Sequence, residues 1–169
     1  MNKLILSVFA SIAFVSISHA HCGNCASGET KEAHHHGEEA SRSSVELDVY
    51  FGVQSALAGD DLATAQSVAS KLIALAEEKG CSLKFETASV IAEAKDISTA
   101  RDAFKDWSDA LIEKFEEGYS GEGAVYKMHC PMAFGNTGGS WLQNNKELLN
   151  PYYGAMMLRC GMVQKDYAK

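Results

Sequence analysis

Two soft donors separated by one residue, Cys130 and Met132, stand in the segment Tyr126-Lys-Met-His-Cys-Pro-Met132. His129 and Met128 precede them, and Met156, Met157 and Cys160 could meet them across a fold. Thiolate, thioether and imidazole together suit a soft ion, Cu(I) or Ag(I), better than Mg2+ or Ca2+, which want oxygen. A thioether stays neutral and forms no disulfide, so it can serve where free thiols oxidise. Zinc is the competitor, because Cys and His suit it, but zinc sites rarely use Met. Pro131, between two of the donors, limits the backbone and would hold them at a fixed angle.

The same residues admit plainer roles. A disulfide between Cys130 and Cys160 would close the loop between them and stabilise the fold by about 3–4 kcal/mol in the chain-entropy model. Met156 and Met157 suit core packing. Trp141, Pro151, Tyr152, Tyr153 and Gly154 read as structural, the glycine offering a position for positive φ. Cys81 follows the helix stop Gly80 and reads as a buried or idle thiol.

A second set of donors lies near the N-terminus: Cys22-Gly-Asn-Cys25 and His34-His35-His36. The residues before it, MNKLILSVFASIAFVSISHA, have a positive start at Lys3, an apolar run and small residues at Ser18 and Ala20. That is the pattern of a cleaved secretory signal, with His21 as the new first residue. Its amino group and imidazole could chelate one metal ion together. Residues 21–44 contain no large apolar side chain, which predicts a disordered arm; its His and Cys tracts read by composition as metal-binding, or as a solvated tail that takes up metal only incidentally. A Cys-x-x-Cys in such an arm, with no βαβ pattern around it, is not a thioredoxin-type motif.

The whole chain carries a net charge of −7 at pH 7, and removing Lys3 with the signal makes it more negative. With no basic cluster, nucleic acid is not an expected partner. No segment after the signal is apolar enough to span a membrane. Five cysteines in an oxidising compartment leave at least one unpaired or bound to something. No Gly-x-Ser-x-Gly, His-Glu-x-x-His or phosphate loop is present, and Gly135-Asn-Thr-Gly-Gly-Ser140 lacks the lysine a phosphate loop needs, so an enzyme is not expected.

The elements that must position these donors read as helices. Val45, Val49, Val53 and Leu57 recur at four-residue steps, with Gly59 ending the helix and Asp60 or Asp61 capping the next. Leu62, Ala65, Ala69, Leu72 and Ala76 form a second stripe, stopped at Gly80. A shorter helix spans about 83–95. Asp96 or Ser98 then caps a long one whose seam is Ala100, Phe104, Trp107, Leu111 and Phe115. Short connections predict an up-and-down four-helix bundle, all-α. After Gly118 the sequence is too irregular for a long helix and predicts a Cys-, Met-, Gly- and Pro-containing cap, with Leu148-Leu149-Asn150-Pro151 extended or turned.

The string Tyr126-Lys-Met-His-Cys-Pro-Met132, Trp141-Leu-Gln143, Asn150-Pro-Tyr-Tyr-Gly154, Met156-Met157 and Cys160-Gly161 resembles the domain of unknown function 3347 family of bacteria. Tyr50, Ala56-Leu57 before Asp60-Asp61, and Asp96-Ile97 followed by Arg101, Phe104 and Ser108 agree with it, so the likeness covers residues 45–165. Members of that family occur alone in the periplasm and at the end of adaptor subunits of copper and silver efflux pumps. The resemblance implies a role in heavy-metal resistance.

Three segments are therefore expected: a signal peptide (1–20), a disordered arm (21–44), and a helical-bundle domain with a C-terminal cap (45–169). The expected protein is periplasmic, binds Cu(I) or Ag(I), and sequesters the ion or delivers it to components of an efflux pump. The alternative is a disulfide-stapled periplasmic interaction module with no metal of its own.

Overall fold

A computed structural model describes residues 36–78, 86–118 and 123–167, of which 36–44 and 76–78 are described in their backbone only. The signal segment, the arm donors His21, Cys22, Cys25, His34 and His35, and Cys81 lie outside the described residues; His36 is described in its backbone only.

Four helices form the first part: α1 (His36–Ala58), α2 (Leu62–Glu78), α3 (Glu86–Ala92) and α4 (Ile97–Glu116). α1 thus begins ahead of Val45, where the apolar pattern starts. Successive helices pack on one another through the expected stripes: Val53, Leu57, Ala65, Ala69, Ile91, Ala100, Phe104 and Leu111 are all buried. The connections carry their own stops. Asp61 caps α2, its carboxylate accepting from Thr64 N at 2.9 Å and Thr64 Oγ1 at 2.7 Å. Asp96 caps α4, accepting from Thr99 N at 2.8 Å. Each bond satisfies a donor that the first helical turn leaves without a partner.

The second part overturns the all-α expectation. Residues 126–166 are not an irregular cap on a four-helix bundle but contain a three-stranded antiparallel sheet, so the fold mixes helices and strands. β1 (Tyr126–Cys130) lies in the centre, β2 (Gly139–Gln143) on one side and β3 (Met162–Asp166) on the other. A one-turn helix α5 (Ala133–Asn136) joins β1 to β2, and a 3-10 turn (Gly154–Met156) precedes β3. The strands are five residues each. β2 has Trp141, Leu142 and Gln143 buried in succession, and β3 is exposed throughout, so neither shows the in-out alternation that marks a strand in sequence.

Tyr50 joins the two parts. Its ring stacks on Phe104 with centroids 4.8 Å apart. Ser108 donates to Phe104 O at 2.8 Å, so the Tyr50 hydroxyl donates to Ser108 Oγ at 2.7 Å and accepts from Leu142 N at 3.0 Å. A backbone donor on the outer edge of β2 is thereby satisfied by a helix side chain. Burial pushes the Tyr50 phenol well above its ordinary pKa, so it stays a donor.

Arg101 on α4 makes the second joint. It donates from Nε to Pro151 O at 2.8 Å and from Nη2 to Leu57 O at 3.0 Å and Asp60 Oδ1 at 2.6 Å. The other Asp60 oxygen accepts from Ala155 N at 2.8 Å. Gly154 fits beneath this pair: its φ is +60°, and a Cβ there would stand 1.9 Å from Asp60 Oδ1.

Candidate functional site

β1 brings its residues to alternate faces. Met128 and Cys130 point to the buried face, and His129 points to the other. The buried face is covered by the segment after β2, which carries Cys160. Cys130 Sγ and Cys160 Sγ lie 3.2 Å apart. Both are free thiols, Cys130 fully buried and Cys160 half-buried.

Three residues that sequence reasoning did not single out as positioning groups place this pair. Asn150 is fully buried and donates from Nδ2 to Cys160 O at 2.8 Å, while its Oδ1 accepts from Tyr152 N at 2.9 Å. Its backbone closes two further bonds, from its N to Leu158 O at 2.9 Å and from Gly154 N to its O at 3.1 Å. An Asn before a Pro is a signal for this kind of side-chain turn. Gln143 is also fully buried. Its Nε2 donates to Asn145 O and Oδ1, each at 3.1 Å, and to Glu147 O; its Oε1 accepts from Trp141 Nε1 at 3.2 Å. It thereby holds the start of the covering segment. Gly161 presses that segment onto β1: with φ +139°, it leaves no room for a Cβ, which would stand 2.8 Å from His129 O and 3.2 Å from Trp141 Cη2.

The remaining expected donors are spread out. Met128 is sealed in the core opposite Trp141 on β2. Met132 is exposed at the start of α5, and its carbonyl accepts from the Tyr153 hydroxyl at 2.5 Å. Met156 is 81% exposed in the 3-10 turn, and Met157 behind it is half-buried. His129 lies across the sheet from Cys130, its Nδ1 2.9 Å from Ser140 Oγ. Among the described residues, no group of three or more His, Cys, Asp or Glu side chains converges as a metal cage does.

The dithiol has the chemistry of a soft-cation trap. The hydrogen bond with Cys130, then burial, then the charge of a neighbouring thiolate raise the Cys160 pKa. Two thiolates in contact repel each other, and a cation or oxidation relieves that repulsion. The pair therefore fits either a soft monovalent ion held by two sulfurs or a disulfide.

No known protein family matches this chain, and no curated protein or solved structure is significantly similar to it. Among the described residues, no helix is long and apolar enough to cross a membrane.

Proposed function

We propose that this is an exported protein in which Cys130 and Cys160 capture Cu(I) or Ag(I) as cargo, for sequestration or hand-over to a metal efflux system. The observation that carries the proposal is the 3.2 Å approach of two sulfurs from distant points of the chain. A buried ligand gives rigidity, and a half-exposed one gives the ion a way in and out. Met132, exposed one residue beyond Pro131, is the thioether best placed in sequence to receive or pass on the ion. The likeness of the Cys-Pro-Met, Trp-Leu-Gln, Asn-Pro-Tyr-Tyr-Gly and Cys-Gly elements to the domain of unknown function 3347 family supports the link to efflux.

The test is a Cu(I) titration of the full chain in reductant against a chelator of known affinity. Binding should weaken at least tenfold in Cys130→Ser and in Cys160→Ser, and less in Met132→Ile. Equal affinity in all four proteins would overturn the dithiol assignment. Because thiolates must form before they ligate, affinity should rise with pH.

A second reading is favoured by the same contact: the two sulfurs close as a disulfide that staples the segment after β2 to β1, making an interaction module without a metal. A thiol count on exported protein separates the two. If Cys130 and Cys160 are paired and no metal is retained, the staple is the function.

A further inference from the structure

We propose that His129 and Met162 form a separate soft-metal site on the face of the sheet opposite the dithiol. It deepens the reading of the protein as a soft-metal binder but uses neither cysteine.

The pleat of β1 divides what looks in sequence like one cluster. Cys130 turns to the buried face and its neighbour His129 to the other. On that face His129 is flanked on both sides. Its partner on β2 is Ser140 and its partner on β3 is Met162. Directly paired residues of antiparallel strands have Cβ atoms about 4.5–5.5 Å apart. Met162 is 55% exposed, and its side chain has three rotatable bonds, so its sulfur can swing over the imidazole.

Ser140 prepares the ring. Its hydroxyl lies 2.9 Å from Nδ1. With the proton on Nδ1 and donated to Ser140, the Nε2 lone pair is free for a metal, and the ring is held in orientation. Gly138 makes room for the ring on the β2 side. A Cβ at 138 would stand 2.9 Å from Cε1 and 3.3 Å from Nε2 of His129, and the backbone there has φ +85°. The lysines on this face, Lys127 and Lys165, are both paired with Glu116, at 3.4 and 2.5 Å. Imidazole with thioether selects Cu(I) or Ag(I) over hard cations. Neither donor is consumed when thiols pair, so this site stays competent when the dithiol has closed.

The test is a titration of the full chain with silver nitrate in chloride-free buffer, followed by NMR with 13C-methyl methionine and 15N histidine labels. Residue-resolved signals keep this site apart from the donors in residues 21–36. The Met162 methyl and His129 Nε2 should shift together with one concentration dependence. Ser140→Ala should weaken that response about tenfold. Met162→Ile, at an exposed position, should abolish the His129 shift with the melting temperature unchanged, and Cys130→Ser should leave both shifts intact. The proposal is overturned if the Met162 methyl moves without His129, if neither moves, or if Cys130→Ser abolishes the response. A failed dithiol would show instead as unchanged Cu(I) affinity in the cysteine variants.

Discussion

Arg101 and Asp60 meet at 2.6 Å, and each also holds the backbone of the other part of the molecule. The arginine, on a helix, binds Pro151 O; the aspartate, in the turn between helices, binds Ala155 N. The 3-10 turn before Cys160 is thus docked by a charged pair, next to the apolar packing of Tyr152 on Phe104 and Trp141. The bond from Ala155, then that from Arg101, lowers the Asp60 pKa, so the carboxylate stays charged in mildly acid conditions.

Gly154→Ala should therefore destabilise the protein strongly. A methyl group would stand 1.9 Å from Asp60 Oδ1 and 2.5 Å from Arg101 Nη2, and φ is +60°. Left-handed backbone and overpacking together cost about 2–5 kcal/mol. Gly135→Ala is the control: φ is +68° but nothing lies within 4 Å, so only the backbone cost of about 1–2 kcal/mol applies. Urea unfolding of the two variants measures the difference.

Asn150→Asp keeps the acceptor for Tyr152 N but loses the donor to Cys160 O. An acceptor left without its donor costs about 1–3 kcal/mol, and a carboxylate buried against the Cys160 carbonyl oxygen adds to that cost. The variant should unfold at lower urea, and Cys160 should react faster with a maleimide than in the parent protein. An unchanged alkylation rate would show that Asn150 does not hold Cys160 in place.

Acid should loosen the end of α4 from the sheet. Hydrogen bonds from Lys165, then Tyr167, outweigh burial and hold Glu116 at about 2, against an ordinary 4.5. A carboxyl with a lowered folded pKa contributes stability above its unfolded pKa and loses it as the pH falls through the folded one. Glu116→Gln should therefore be less stable than the parent at pH 7, and the gap should close between pH 4.5 and 2. Melting temperatures of both proteins across that range check the sign.

The helices were legible because their apolar stripes run long enough for a 3.6-residue period to show, as from Ala100 to Phe115, and because Asp61 and Asp96 mark their starts. The sheet was not. Trp141, Leu142 and Gln143 are buried together because the helices and the segment after β2 enclose that strand, which erases alternation. Tyr126–Cys130 does alternate, but five residues make a short window. The strand also decides the site. Neighbours in a loop can share a ligand, whereas His129 and Cys130 on a strand face opposite ways. Cys130 and Cys160 were both visible as donors, but Asn150, which sets their approach, read only as the residue before a proline.

The strand order has a consequence for how the molecule comes into being. The central strand, β1, needs β3 as its second partner, and β3 is the last strand made. The Cys130–Cys160 contact ties the middle strand to the segment that leads into β3. The two sulfurs can therefore meet only after that segment has folded back onto β1, so the dithiol is a product of the final step of sheet assembly. A chain truncated before Met162 should leave both thiols faster to alkylate than in the full protein.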